Sequence, residues 1–332
     1  GHPKGVMIEH RNVVNLIHGL KKVIYHQYPN QLRVALNAPC VFDASVQQIF
    51  GALLQGHSLY IIPESARSDG ESLTKFYQTN EIHISDVTPV HIRLLAETEL
   101  SSFPLKHLII GGEALPIKLI NRFQKQVLLE GLEMTNVYGP TECCVDSTAY
   151  TLNGNEVLNL DPIPIGYPMP NEAVYILDRH FNRQPIGVPG ELCISGEGVS
   201  RGYLERGDLT AERFVPNPFR QGDRLYRTGD RVRYRADGGI EFLGRMDHQL
   251  KIRGFRIEAG EVETLLERHP LVRAAVVIAW EESVGDKRLV AYIVQKDRDH
   301  QNVQVSEFQD FLRDKLPDYM IPSRFVIMDT LP

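Results

Sequence analysis

Short apolar runs alternate with amphipathic stretches through the first 150 residues. Runs at 31–38, 57–62, 82–87 and 106–110 read as strands, and 46–54, 71–79 and 116–129 read as helices. Strand and helix in alternation predict a layered α/β core. Between 150 and 243 the pattern changes. Glycine and proline punctuate short runs at 173–177, 191–195, 231–234 and 240–243, which predicts a small distorted β-barrel or sandwich. A third pattern starts near residue 247. Two basic strand-like runs (249–253, 255–257) precede a helix (259–268), two strands (272–280, 288–295) and a second helix (305–316). This is a small, mobile α+β domain of about 80 residues, within the usual range for small domains. The polar stretch 296–302 reads as a surface loop.

Composition narrows the classes. The chain has 332 residues, 42% hydrophobic and 23% charged, with a net charge of −6. That is room for two or three domains, and no general nucleic-acid or membrane surface is implied. No apolar run is long enough to span a bilayer, and no signal peptide opens the chain. Cys40, Cys143, Cys144 and Cys193 form no C-x-x-C pair, so a disulfide framework or zinc site is not expected and a reducing cytoplasm fits. The glycine-bounded turn at Gly1 to Gly5 and the stop at Pro332 both read as cuts through a larger polypeptide.

Candidate chemistry concentrates in a few segments. Residues 136–142 place Tyr138, a Gly139–Pro140 turn, Thr141 and Glu142 within five positions. Such a set can stack a flat heterocycle, hold a phosphate oxygen and carry a divalent cation. By itself it reads equally well as a surface turn with a helix cap. Residues 226–230 put Asp230 directly after a glycine, between two strand-like runs. That carboxylate could accept two hydrogen bonds from a ribose diol; alone, a hairpin corner explains it as well. Gly111 and Gly112 follow a buried-looking run and let a ligand approach the backbone, although a plain strand-to-helix turn is the commoner cause. Pro3, Lys4 and Gly5 resemble the tail of a phosphate loop. Residues 244–258 are basic but carry no aromatic stacking platform, so nucleic acid is not expected.

Taken in order, these motifs resemble the adenylate-forming superfamily, and within it the amino-acid adenylation domain of nonribosomal peptide synthetases. The resemblance spans essentially the whole chain. It is carried by residues 42–45, residues 136–142, Gly190–Glu191–Leu192 with Gly202 and Tyr203, residues 226–230, residues 244–263 and residues 316–322. It implies ATP-dependent activation of a carboxylate as an acyl adenylate with Mg2+, then transfer to the phosphopantetheine thiol of a downstream peptidyl carrier domain, with a condensation domain upstream. Residue by residue, it implies that Tyr138 stacks on adenine and that Thr141 reaches the α-phosphate. Glu142 holds Mg2+, Asp230 binds the ribose, and Arg245 lies near ribose and phosphate. Gly112, Glu113 and Ala114 line the adenine face, and Lys4 belongs to the phosphate loop. The domains implied are a core over 1–243, a hinge over 244–248 turning at Asp247, and a lid over 249–332.

Asp43 matches the position that pairs with a substrate α-ammonium, against the reading of a helix N-cap. The family's pocket positions map to Asp43, Ala44, Gln47, Asp86, Ile109, Gly111, Val137, Val145 and Asp146. Gln47, Asp86 and Asp146 demand a polar side chain. The set is similar to those of glutamine-activating domains, with glutamate second and a basic residue such as ornithine third. The glycine-, serine- and threonine-rich front of the phosphate loop and the C-terminal Asn-Gly-Lys segment are not in the chain. It is therefore expected to be a fragment, poorly folded or weakly active alone. The competing expectations are an acyl-CoA synthetase-like ligase and an inactive nucleotide-binding or docking module.

Overall fold

A computed structural model of the chain describes residues 4–98, 104–126, 131–152, 163–247, 249–252, 255–283, 286–296 and 305–330. Among the expected features, residues 1–3, 127–129, 248, 253–254, 297–302 and 331–332 lie outside them. The chain forms two compact units, Lys4–Met246 and Asp247–Pro332 with the first three residues.

The first unit begins with α1 (His10–Val23), β1 (Arg33–Leu36), α2 (Ala44–Leu53), β2 (Ser58–Ile61), α3 (Glu64–Arg67) and α4 (Gly70–Thr79). It continues through β3 (Ile84–Val87), α5 (Pro89–Ala96), β4 (His107–Ile110), α6 (Ile117–Gln126), β5 (Glu133–Tyr138), β6 (Thr148–Thr151) and β7 (Tyr167–Pro168). These strands make one sheet in the order β2-β1-β3-β4-β5-β6-β7. β1 to β5 are parallel, and β6 and β7 are antiparallel. Every residue of β3 and β4 is buried, the state of central strands covered on both faces. The pleat sends Ile109 to a core shared with Leu16, Leu20 and Ile84. It sends Leu108 and Ile110 to the opposite core, with Leu73, Ile92 and Phe123.

Two helices of eight residues or more were not legible in the pattern. The buried stripe of α1 is Asn12, Asn15, Leu16, Gly19 and Leu20. Its spacing is helical, but its first turn is polar, so the apolar signal is diluted. The other is α5, of eight residues, which starts with Pro89 at its first turn; Thr88 before it receives a cap from His91.

The β-rich part holds β8 (Glu172–Leu177), β9 (Gly190–Gly196), α7 (Gly207–Arg213), β10 (Phe214–Pro216), β11 (Arg224–Tyr234) and β12 (Ile240–Arg245). They form an antiparallel sheet in the order β10-β11-β9-β8, with β12 also on β11. One expectation is corrected here. Residues 226–230 are not a turn between two strands but the interior of the 11-residue β11. The Thr228 hydroxyl donates to the Leu192 carbonyl at 2.7 Å, and the register on β9 shifts between Arg227 and Arg231. Gly229, at φ 72°, makes a bulge rather than a corner.

The second unit pairs β13 (Gln249–Ile252) with β14 (Phe255–Glu258) and continues through α8 (Ala259–Glu267), β15 (Val272–Ser283), β16 (Asp286–Gln295), α9 (Val305–Arg313) and β17 (Arg324–Met328). β16 is central, antiparallel to β15 and parallel to β17. Val262, Leu266, Ala291, Phe308 and Phe325 share its core.

Candidate functional site

The parallel strands end on one side of the first sheet, where open α/β sheets bind ligands. Asp86 pairs in register with Ile109, and Ile109 with Thr135. By the two-residue pleat, Asp86, Ile109, Gly111 and Val137 therefore share one face. The close approach at Gly111 needs glycine, since a Cβ there would lie 2.9 Å from Val137 Cγ2. Ala44 and Gln47 come to the same face from α2, because Gln47 Nε2 donates to Asp86 Oδ1.

The polar atoms of this pocket are deeply buried. Gln47 is 4% exposed, and Asp86 and Asp146 are 7% exposed. Burial pushes the Asp86 carboxyl up to about 7, partly offset by the Gln47 hydrogen bond. Burial also pushes Asp146 well above the usual carboxylate range, reinforced by the charges of Asp86 and Asp43. Gln47 Oε1, Asp86 Oδ2 and Asp146 Oδ2 have no hydrogen-bond partner among the described residues. All three are acceptors when the acids are ionised.

Asp43 opens α2 but does not cap it. Its Oδ2 instead accepts from the Thr141 hydroxyl, so the residue matched to the substrate ammonium meets the one matched to the α-phosphate. The connection from Thr141 to Asp146 is tight and strained. Cys144 and Val145 have φ of 58° and 76°, conformations that cost side-chain-bearing residues about 1–3 kcal/mol each. The turn closes on Gly139, where a Cβ would lie 2.1 Å from the Val145 carbonyl oxygen.

The residues matched to the nucleotide meet at the junction of β5, β11 and β12. The buried Tyr138 hydroxyl donates to Asp230 Oδ2, and Arg245 Nη1 donates to Asp230 Oδ1 at 2.8 Å and to the Thr228 carbonyl at 2.9 Å. Asp230 and Arg245 are register partners. Burial, then the Asp230 charge, raises the Tyr138 phenol. Phe242 lies 6.4 Å from the Tyr138 ring, tilted by 40°. Both Asp230 oxygens are thus already engaged, so a ribose diol would share or displace these donors. Arg227 and Glu191 pair beneath this bulge at 2.8 Å.

Glu142 is 1% exposed and accepts from the Tyr203 hydroxyl at 2.7 Å. Among the described residues, no group of three or more His, Cys, Asp or Glu could hold a metal alone. One carboxylate still fits Mg2+, which is commonly bound by one or two carboxylates together with substrate phosphates and water. Lys4 is half-buried. Its neighbour Gly5 accepts from Leu204 N at 2.7 Å, which sets the phosphate-loop segment beside residues 201–204. Gly112, Glu113 and Ala114 occupy the bend after β4, and Asp247 opens the second unit. Sequence reasoning gave no role to Asn12, Asn15, Glu172, Glu191 or Tyr203. Gly190–Glu191–Leu192 and the Gly202–Tyr203 pair were visible as motifs; Asn12, Asn15 and Glu172 carried no local signal.

A fold with ligand groups at the carboxyl ends of parallel strands and a second small unit fits an adenylate-forming enzyme. Residues 1–204 match the model of the AMP-binding enzymes, and residues 261–332 match that of the AMP-binding enzyme C-terminal domain. The chain belongs to the AMP-binding enzyme family, among the amino-acid adenylation domains of nonribosomal peptide synthetases. It is 48% identical over 335 residues to bacitracin synthase 1 of Bacillus licheniformis, covering 100% of this chain and 6% of that protein. It is 44% identical over 340 residues to surfactin synthase subunit 1 of Bacillus subtilis (strain 168), covering 100% and 9%. The chain thus spans less than a tenth of these relatives. Among solved structures, it resembles the Vibrio cholerae adenylation domain AlmE in complex with glycyl-adenosine-5'-phosphate. There the TM-score is 0.86 at 27% identity, covering 100% of this chain and 62% of that one. It also resembles NpsA-ThdA, an artificially fused adenylation-PCP di-domain from Klebsiella oxytoca. That TM-score is 0.84 at 29% identity, covering 97% and 58%.

Proposed function

We propose that this chain activates L-glutamine with ATP, giving glutaminyl-AMP and pyrophosphate. It then passes the glutaminyl group to the phosphopantetheine thiol of a peptidyl carrier domain in the same synthetase, which also carries an upstream condensation domain. In the first step a substrate carboxylate oxygen bonds to the α-phosphorus as the bond to the bridging β-phosphate oxygen breaks. In the second the thiol sulfur bonds to the acyl carbon, its proton is lost and AMP leaves. Mg2+ on Glu142 supplies charge neutralisation at the phosphate oxygens.

The chain's own side chains orient the reactants. Asp43 holds the substrate ammonium, and Thr141, bonded to Asp43 in the free site, turns to the α-phosphate. Arg245 and Lys4 face developing phosphate charge. Tyr138 stacks on adenine beside residues 112–114, and Asp230 takes the ribose. Asp247 is the hinge on which the lid, 249–332, swings against the core, 1–243, between the two half-reactions.

The observation that carries the choice of glutamine is the set of three uncommitted oxygens, Gln47 Oε1, Asp86 Oδ2 and Asp146 Oδ2, of which the amide oxygen accepts and the two carboxyls accept or donate with their protonation. A carboxamide brings two N–H donors and no charge. Glutamate, the second choice, brings no donor when ionised and adds an anion to a cluster of acids, and ornithine stays third. The test is pyrophosphate exchange in the full polypeptide carrying these residues, across glutamine, glutamate, ornithine, leucine and phenylalanine. Glutamine should dominate. Strong activation of leucine or phenylalanine with none of glutamine refutes the reading.

A further inference from the structure

Residues 197–204 form a strap between β9 and α7, and its hydrogen bonds link α1, the Lys4 segment and Glu142. Asn12 Nδ2, from the first turn of α1, donates to the Glu197 carbonyl at 2.6 Å and the Val199 carbonyl at 3.3 Å. Gly198 N donates to Glu172 Oε1 at 2.8 Å. Asn15 Nδ2 donates to the same oxygen at 2.8 Å, while its own Oδ1 accepts from Asn171. The next strap residue, Ser200, donates its N–H to the Glu142 carbonyl at 2.9 Å. Tyr203 donates its hydroxyl to Glu142 Oε1 at 2.7 Å. Beyond it, Met7 N bonds to the Gly202 carbonyl at 2.9 Å and Leu204 N to the Gly5 carbonyl at 2.7 Å.

The burial of this array is informative. Asn12 is 0% exposed, Glu142 1% and Tyr203 3%. A buried asparagine occupies a stripe position where leucine would pack better, and burying its amide is costly unless its hydrogen bonds are made. Here they are made to the backbone of the strap. Tyr203 is held in turn by packing, with Phe214 5.4 Å away at 77°. A single carboxylate that carries a cation depends on such surroundings for its direction.

We propose that Asn12, Asn15 and Tyr203 are positioning residues that aim the Glu142 carboxylate at its cation through the 197–204 strap. This rests on the reading of Glu142 as the metal-holding group. Glu172 anchors the strap from below as a neutral acid. Burial pushes its carboxyl up to about 8, and its Oε2 has no partner among the described residues. Several charged or titratable groups surround it. Glu197 lies on the strap and raises it further. Cys143 follows Glu142 and feels its charge. Arg11 on α1, Arg220 and Asp223 before β11 and Arg224 at its start line a 330 Å³ cavity together with Glu172.

The test is Mn2+ binding, read by electron paramagnetic resonance, to the full polypeptide with a non-hydrolysable ATP analogue. Four variants are compared: Glu142→Gln, Asn12→Ala, Tyr203→Phe and, as a packing control in α1, Ile17→Val. Asn12→Ala and Tyr203→Phe should weaken Mn2+ binding roughly ten- to hundredfold, the usual effect of removing a partner that orients a metal ligand. The KM for glutamine should stay within about twofold, since side-chain binding is untouched. Ile17→Val should lower the melting temperature and leave Mn2+ binding unchanged. Tyr203→Phe keeps the ring packing, so it reads positioning even if Asn12→Ala misfolds. If Glu142→Gln weakens Mn2+ binding while Tyr203→Phe does not, the relay is overturned and Glu142 keeps its role. If Glu142→Gln itself has no effect, the metal reading fails and the relay with it.

Discussion

Asp86→Asn separates stability from function at one atom. Gln47 can still donate to the remaining Oδ1, and the ring of packing around the side chain keeps its volume. Only the uncommitted Oδ2 changes, from an oxygen that accepts once the acid is ionised to an amide nitrogen that only donates. Burial pushes the wild-type carboxyl from its ordinary 3.8 up to about 7 in the fold. Because the folded value is raised, the native state holds its proton over a range where the unfolded chain has lost it. Stability therefore falls as pH rises from about 4 to about 7, and the full cost persists above that. Each unit corresponds to about 1.4 kcal/mol, so between pH 5 and pH 8 wild type should lose about 3 kcal/mol that the Asn variant does not. Urea-dependent pulse proteolysis at the two pH values measures the difference. At pH 8, where the wild-type carboxyl is ionised, glutamine activation should fall ten- to hundredfold in the variant, since an N–H now faces the substrate's N–H and about 1–3 kcal/mol is lost. A difference between variant and wild type that stays flat from pH 5 to pH 8 would show that Asp86 is not the buried acid described. A variant with unchanged glutamine exchange would remove Oδ2 from the substrate pocket.

Two further outcomes follow from burial. Arg245→Ala leaves the Asp230 carboxylate, with a side chain 3% exposed, without its cation. It should cost about 3–5 kcal/mol in unfolding experiments and raise the KM for ATP; unchanged stability would mean that the ion pair does not form. Thiol labelling of the native chain at neutral pH should modify Cys40, the exposed cysteine, and spare Cys143, Cys144 and Cys193. Burial pushes the Cys144 and Cys193 thiols up to about 12 and Cys143 well above its ordinary value, so little thiolate is present. Rapid labelling of a second of these cysteines would contradict the packing around residues 143–144.

Local pattern determined a good deal of this protein. The core strands β1, β3 and β4, the hairpin β13–β14, α8, and the strands β15 and β16 were all legible, because a strand buried on both faces is a continuous apolar run and a small α+β unit repeats its periods cleanly. The order of motifs was legible too, and with it the family. What the chain alone could not supply was pairing across distance. Asp230 read as a corner because its glycine is a turn signal, yet hydrogen bonds from Thr228, Tyr138 and Arg245 hold that glycine inside a strand. Asp43 read as either a cap or a substrate ligand, and only its bond to Thr141, 98 positions away, removed it from capping. Helix α1 stayed hidden because Asn12 and Asn15 replace apolar residues on its buried stripe, and their partners lie 185 and 157 positions distant. Burial and hydrogen bonding are properties of a neighbourhood. A sequence shows which side chains can accept or donate, and the tertiary structure alone decides which of those valences are used and which are left for a ligand.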